Sequence, residues 1–285
     1  MIDYEARDWY GIVFKLKGSV LPRLTLRIVA AAAVGAGAAW LYVERGAKVP
    51  TVAHTLIGVA LGLLLVFRTN ASYDRYWEGR RLLGAIVNRT RDIARQFRTW
   101  VDDEPARNDL VRLVAAYYTL TSMTLRRERD LSKVKTLTDA EKKALEPLNH
   151  RAPVLVTWIG QRAIRYVESE QRLFAIDQNL TALNDALGGA ERILKTPIPF
   201  AYAQHIKTFV TLFVFTAPFA MAETMKWWTP LASALLAFAL IGIDEIGVEI
   251  EDPFGYDEND LPLDAIGAGI DAATREIVES RLPLP

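Results

Sequence analysis

The sequence predicts an all-α fold with four transmembrane helices in two hairpins and a large helical region in water. Three observations predict it. Four apolar runs free of Asp, Glu, Lys and Arg occupy residues 28–43, 49–67, 208–222 and 227–243. The runs come in two tight pairs separated by a polar middle. No stretch of the chain shows the period-2 alternation of a half-buried strand. A helix needs about 20 predominantly apolar residues to cross a bilayer. The second run meets that length, the fourth just does, and the other two are marginal alone but gain from their partners.

The composition narrows the function classes. The 285 residues hold 34 basic and 34 acidic side chains, so the formal net charge is zero. A chain that coats nucleic acid needs a basic excess to meet phosphates, so no nucleic-acid partner is expected. There is no cysteine, which excludes disulfides, Cys-ligated zinc, iron–sulfur clusters and thiol catalysis. With 51% hydrophobic and 10% aromatic residues, the chain is too apolar for disorder.

The elements follow in chain order. Residues 1–27 form an amphipathic N-terminal segment with neither an apolar signal core nor a small-residue cleavage site. The first transmembrane hairpin takes 28–67, with residues 44–48 as its turn. A helical middle takes 68–200. The second hairpin takes 201–243; its turn at 223–226 is followed by Trp227 and Trp228 at the position expected for interfacial aromatics. An acidic segment, 244–285, completes the chain. Arg7, Lys15, Lys17 and Arg23 precede the first run, and Arg68, Arg75, Arg80, Arg81, Arg89, Arg91, Arg95 and Arg98 follow the second. The hairpin turns hold only Arg45, Lys48 and Lys226. By the positive-inside rule both termini and the middle are cytoplasmic, in a multi-pass protein of the inner membrane.

No proline interrupts residues 51–101, and Leu83, Ile93, Phe97 and Trp100 continue an apolar stripe, so the second span is expected to run on as one long amphipathic helix. Gly79 and Gly84 are candidate bends, and Asp74, Glu78 and Asp92 are candidate partners for the arginines. Asp103 and Pro105 open another helix. Residues 129–137 read as a loop, and Thr138 with Glu141 has capping-box spacing. Further helices are expected over 153–172 and 176–195. Pro197 and Pro199 force an extended break before the third run.

Enzyme signals are poor. His54, His150 and His205 are isolated, and there is no phosphate-binding loop, dinucleotide turn or nucleophile elbow. The second run is more informative. Val59, Leu63 and Phe67 stand at i, i+4 and i+8, drifting only about 40° per step, so they share one helix face. Gly58 and Gly62 form a small-xxx-small pair on the adjoining face. In a ring of identical subunits such a helix would build stacked apolar constrictions that gate by dewetting; periodicity alone favours ordinary packing, because most apolar stripes are packing. From Asp244 to Asp264 there are nine carboxylates and no Lys or Arg. Asp257, Glu258, Asn259 and Asp260 are hard oxygen donors in a turn, as calcium requires, yet the spacing is not an EF-hand loop. A solvated acidic loop explains them as well.

Four segments together resemble the bestrophin family of pentameric ion channels, in its short prokaryotic form. They are Lys17-Gly18-Ser19-Val20; Phe67-Arg68-Thr69-Asn70-Ala71-Ser72-Tyr73-Asp74-Arg75-Tyr76-Trp77-Glu78; Thr196-Pro197-Ile198-Pro199-Phe200-Ala201-Tyr202; and Glu251-Asp252-Pro253-Phe254-Gly255 leading to Asn259-Asp260-Leu261-Pro262-Leu263. The resemblance implies a homopentamer in the lipid bilayer around one central pore, without enzymatic activity. It puts the neck on Val59, Leu63 and Phe67; Ile or Phe is usual at the first two positions, which implies a wider neck here. Aligned through Leu187-Gly188-Gly189-Ala190-Glu191-Arg192, it puts a second, cytoplasmic constriction at Gln171, with Phe174 as the fallback register. It maps a calcium site onto the carboxylates of Asp257 and Asp260, with backbone carbonyls from Glu249, Asp252 and the N-terminal segment; Tyr256 and Asn259 stand where animal members carry acids. Animal members resemble anion channels and bacterial ones look cation-conducting, so the resemblance tips the permeant monovalent ion slightly toward cations. The competing reading is a membrane-anchored helical scaffold or calcium-sensing regulator without a conducting pore.

Overall fold

The structure, a computed structural model, describes residues 4–280. Among these residues the regular elements are all helical. They are α1 Trp9–Val13, α2 Leu21–Arg45, α3 Thr51–Trp100, α4 Glu104–Leu125, α5 Asp139–Leu145, α6 Arg151–Ala163, α7 Glu170–Lys195, α8 Phe200–Met225, α9 Thr229–Glu251 and α10 Leu263–Glu279. The outermost parts of the two terminal segments, residues 1–3 and 281–285, lie outside the described residues. The contacts divide the chain into two compact units. The first holds the residues up to Tyr76, Pro197–Pro253 and Asp257–Asp260; the second holds Trp77–Thr196, Phe254–Tyr256 and the residues from Leu261 on.

The first unit contains the apolar runs. α2 and α3 are each long and apolar enough to cross a membrane, as is the run Phe200–Glu251, which comprises α8 and α9. α2 ends at Gly46, whose φ of +64° supplies the left-handed cap that glycine adopts without strain. α8 ends at Lys226, which turns at φ +48° before a single 3-10 turn through Trp228 and the start of α9. α2 packs against both α8 and α9, and α8 packs against α9. Their core is Leu24 and Ala31 of α2, Leu61 and Leu65 of α3, Ile206, Val210 and Val214 of α8, and Ala237 and Ile241 of α9.

The α2–α9 seam is built from small residues. Ala31, Gly35, Ala38 and Ala39 are buried on α2, facing Thr229, Ser233 and Ala237 on α9. In lipid, helices gain little from apolar burial, so close backbone approach supplies the van der Waals contact. Gly35 marks the closest point: a methyl group there would stand 2.6 Å from Ser233 Oγ and 2.9 Å from the Cα of Pro230. The glycine pair of α3 divides: a methyl group on Gly58 would stand 3.1 Å from the ring of Phe213, whereas one on Gly62 would meet nothing within 4 Å.

Arg68 ties α3 to α9. It is only 2% exposed. Its Nη2 donates to Glu251 Oε2 at 2.8 Å and its Nη1 to Ser72 Oγ at 3.3 Å. Its Nε faces Asp244 Oδ1 at 4.0 Å. Asp244 in turn holds Lys207 Nζ at 2.8 Å. Glu251 Oε1 accepts the Ile198 N–H at 2.9 Å, in the break between Pro197 and Pro199, and the Glu251 carbonyl accepts Arg75 Nε at 3.1 Å. Two cations and two carboxylates from three helices thus neutralise one another, with Arg68 and Asp244 buried and Lys207 reaching in from a half-exposed position. α9 comes close enough that a methyl on Gly247 would touch Ser72 Oγ at 3.7 Å and Arg68 Cγ at 3.8 Å.

In the second unit α3 continues without interruption across Gly79 and Gly84, so neither breaks it. At 1.5 Å per residue its 50 residues span about 75 Å. α4 packs against α6, α7 and α10. Its buried phenols reach carbonyls of neighbouring elements: Tyr117 Oη donates to the Leu183 carbonyl at 2.7 Å and Tyr118 Oη to the Leu263 carbonyl at 2.9 Å. Burial raises both phenols well above their ordinary range. α3 and α7 are joined by an amide pair: Asn179 Nδ2 donates to Gln96 Oε1 at 3.2 Å, Gln96 Nε2 to the Ala175 carbonyl at 3.2 Å, and Arg89 to Asn179 Oδ1 at 3.0 Å. Of the expected acidic partners, Asp92 meets Arg89 and Arg95 at 3.8 and 3.7 Å, and Glu78 meets Arg192 at 2.6 Å.

Several expectations are corrected. The helix expected over 153–172 stops at Ala163, because Ser169 caps a new helix by accepting the Arg172 N–H. α7 therefore starts at Glu170, six residues before the expected 176. The loop at 129–137 contains a 3-10 turn at Leu131–Lys133 started by the Asp130 side chain. The capping box of Thr138 and Glu141 is present, and Asp103 caps α4 as its spacing predicts.

Three stability predictions follow from this packing. Gly35→Val should lower the thermal stability of the detergent-solubilised protein by the equivalent of about 1–3 kcal/mol, the usual range for overpacking. Gly37→Val, where nothing lies within 4 Å, should leave it unchanged. Glu251→Gln takes from buried Arg68 the nearer of its two carboxylates, leaving only Asp244 at 4.0 Å, and should cost about 3–5 kcal/mol, while the apolar pair Arg68→Met with Glu251→Met recovers most of that loss; melting curves of the single and the double variant check this. The third prediction concerns Glu141, whose carboxylate takes Arg112 Nη1 and Nη2 at 2.9 Å and Arg162 Nη2 at 3.0 Å. Burial pushes its carboxyl up, but Arg112, the Thr138 N–H and Arg162 outweigh that and hold it at about 2. A depressed carboxyl stabilises the fold above the ordinary carboxylate range and loses that contribution as pH falls toward 2. Glu141→Gln should therefore flatten the acid limb of the stability curve, measured by thermal unfolding at stepped pH.

Candidate pore-lining face and acidic turn

The rotation of α3 follows from which of its residues are buried. Leu61 and Leu65 enter the core, Gly58 meets Phe213, and Arg68 is locked to Glu251. Val59, Leu63 and Phe67 are left 73%, 57% and 56% exposed. They share one face, as their spacing predicts, and that face is turned away from the chain's own core.

The uncovered stripe is longer than those three. Val52, Leu56, Val66 and Tyr73 are also exposed. The series 52, 56, 59, 63, 66, with Asn70 and then 73, advances by alternating steps of four and three. That 3.5-residue period is the seam by which helices of separate chains pack side by side. Sequence reasoning missed Leu56, Val66 and Tyr73 because it stopped at the i, i+4, i+8 triplet; extending the alternation in both directions would have found them.

Gln171 and Phe174 lie in the second unit, in the first turns of α7. Both are exposed and stand three residues apart, on one face. The Gln171 side chain accepts a hydrogen bond from Ser169 Oγ at 3.0 Å.

The acidic turn brings Asp257, Asp260 and Glu249 together. The Asp257 N–H donates to Asp260 Oδ2 at 2.7 Å, and the Asp260 N–H donates to the Asp257 carbonyl at 3.0 Å. Arg23 Nη2 meets Asp257 Oδ1 at 3.2 Å, and its Nη1 stands 3.7 Å from Glu249. Asn259 Nδ2 bridges the Gly18 carbonyl and Glu249 Oε1, both at 3.0 Å. The N-terminal segment and the turn are therefore in contact, as the resemblance implies. Burial raises the Asp260 carboxyl to about 6; the Asp257 N–H opposes that rise, and Asp257, Asp252 and Glu249 add to it by repulsion. Oxygen donors crowd here. Among the described residues, however, no three His, Asp or Glu side chains are arranged to hold a metal, and Arg23 neutralises two of the carboxylates. As placed, the oxygen donors of the turn are engaged by Arg23, Asn259 and the turn's own N–H groups.

The family model described as Bacterial/Fungal Bestrophin protein matches residues 1–276. A curated relative from Nostoc sp. named as a voltage-dependent anion channel-forming protein is 40% identical over 274 residues, covering 91% of this chain and 88% of the relative. One of the same description from Salmonella typhi is 33% identical over 292 residues, covering 99% and 95%. The crystal structure of a bacterial bestrophin homolog from Klebsiella pneumoniae superposes with a TM-score of 0.84 at 26% identity, covering 93% of this chain and 100% of that chain. A match over nearly the whole length, in sequence and in fold, makes this chain a member of the bestrophin family.

Proposed function

We propose that the protein is a passive ion channel of the cytoplasmic membrane, a homopentamer whose α3 helices surround one central pore. The observation that carries this reading is the uncovered apolar stripe of α3, with its 3.5-residue period. A single chain leaves that stripe in the open, whereas a ring of copies would turn part of it inward and pack the rest. The names of the curated relatives support channel formation. The family is one of channels, which agrees with the absence of an enzyme motif in the sequence.

In this reading the four spans are α2 and the first part of α3, then α8 and α9. Both termini and the middle region, 68–200, face the cytoplasm by the distribution of Lys and Arg. Val59, Leu63 and Phe67 form the neck, an apolar constriction that closes by dewetting. Gln171, or Phe174 in the fallback register, forms the cytoplasmic constriction. Asp257 and Asp260, with the carbonyls of Glu249 and Asp252, would hold a calcium ion in place of Arg23; the ion would supply a fixed positive charge joining the N-terminal segment to the turn.

The permeant species are monovalent ions. An apolar neck rejects ions by dehydration and does not choose their sign, so selectivity is set elsewhere along the pore. The family resemblance tips the choice to cations. A second reading, anion conduction, is favoured by the names of the relatives from Nostoc and Salmonella typhi.

Purified protein in a planar bilayer under a KCl gradient tests both. Wild type should pass current, and its zero-current voltage should move toward the potassium equilibrium potential; movement toward the chloride potential selects the anion reading. Phe67→Ala should raise open probability severalfold at unchanged selectivity. Silence from wild type and variant alike, in a preparation shown to be assembled, would sink the channel and leave the scaffold or sensor.

A further inference from the structure

We infer that the segment from Tyr4 to Lys17 is a membrane-surface anchor, whose aromatic face lies in the headgroup layer of a bilayer containing anionic lipid. The observation is a short helix with nothing of its own to bury. α1 has no buried residue. Trp9 is 73% exposed, and Tyr10 and Phe14 are each 76% exposed; Tyr4, Val13 and Leu16 are exposed as well.

These side chains are not scattered. At 100° per residue, Trp9 and Val13 fall together within the helix, with Tyr10 to one side and Ile12 to the other; Phe14 follows as the cap, and Lys15 and Leu16 lie beyond the helix. Gly11 lies on the complementary arc, with Asp8 at the cap before it. Asp8 caps the helix through the Gly11 N–H at 3.0 Å, and any side chain on Gly11 would collide with the Asp8 carboxylate. The polar arc is thus closed on itself and the apolar arc is free.

Three features make the occupant a lipid surface. The aromatics are the amphipathic kind that concentrates at headgroup depth, Trp and Tyr with an apolar body and a polar tip. The cations Arg7 and Lys15 match anionic headgroups; of the two acids beside them, Asp8 is taken up by the helix cap and Glu5 remains, while Lys17 and Arg23 are engaged by Glu258 at 3.4 Å and by Asp257 at 3.2 Å. Position is the third. The seven residues between Val13 and Leu21 reach at most about 25 Å, and Leu21 opens α2, which is free of charge from Ile28 to Val43. The inference rests on reading α2 as a membrane span; it does not require that the pore conducts.

The absence of cysteine makes single-site labelling direct. The full-length protein is reconstituted in phosphatidylcholine vesicles with and without phosphatidylglycerol. It carries an environment-sensitive fluorophore at Tyr10→Cys or, in a second variant, Phe14→Cys. Ala33→Cys on α2 reports the span, and Lys143→Cys on α5 reports water. Probes at 10 and 14 should be quenched by lipid spin-labelled near the headgroup and protected from iodide, more so with phosphatidylglycerol and less so after Lys15→Glu. Open access of iodide to both probes would overturn the anchor. Protection from iodide without lipid quenching would also overturn it and would place a second copy of the chain over this face. Lipid quenching that ignores phosphatidylglycerol and Lys15→Glu would overturn the headgroup recognition. Loss of lipid quenching at position 33 would mark failure of the span itself, a separate result.

Discussion

The pairing of Arg68 with Glu251 constrains the rest of the first unit. A guanidinium this deeply buried is tolerated only with its charge and donors met, and here the partners come from a different helix far along the chain. Glu251 is the last residue of α9, and it also receives the Ile198 N–H before α8 and the Arg75 side chain. One carboxylate therefore gathers the end of the second apolar run, the start of the third and the end of the fourth. Because Arg68 follows Phe67 directly, locking it inward sets the rotation of α3 to within a fraction of a turn. Val59, Leu63 and Phe67 are then turned outward by helical geometry.

The second unit is held by another kind of contact. Its helices are joined by single polar side chains that reach a backbone carbonyl or a partner amide: Tyr117 to Leu183, Tyr118 to Leu263, Gln96 to Ala175 and Asn179 to Gln96. Each is buried and directional, so each fixes register as well as distance. Around Glu141 the same task falls to two arginines, one from α4 and one from α6. The first unit depends on small residues and one charged cluster, and the second on hydrogen bonds between otherwise apolar helices.

How much of this was legible in the sequence varied with the physical signal. The apolar runs, the Asp103 cap and the Thr138–Glu141 box could be read, because each depends on residues adjacent in the chain. The break at Ile164–Ser169 could not: the apolar period carries through it, and Ser169 competes as a cap only once α7 has a direction to start in. α1 and α10 were missed for a related reason. α1, with five residues, is too short to show a period, and α10, with 17, was absorbed into the acidic segment whose carboxylates run into its first turn. The triplet on α3 was visible from periodicity, but not which way it faces; that required the partners of Arg68, 176 and 183 residues away in sequence. The acids of the turn were legible, whereas their neutralisation by Arg23 was not, since Arg23 lies 234 residues from Asp257.

The two apolar surfaces of the first unit make opposite demands. α2 buries its smallest residues against α9, and at Gly35 the approach leaves no room for even a methyl group. α3 buries Leu61 and Leu65 in the core and keeps Val59, Leu63 and Phe67 on the face it leaves open. Small side chains serve the α2–α9 contact, where backbones must meet, and the open face of α3 carries larger apolar ones on a surface that the chain does not complete. In the proposed ring this separates two functions. The rotation of each neck residue is set by the chain's own Arg68 cluster, while the aperture is set by how closely copies approach along the 3.5-residue seam. Substitutions on the seam can then change the opening without disturbing the fold, and substitutions at Gly35 or Glu251 disturb the fold before they reach the opening.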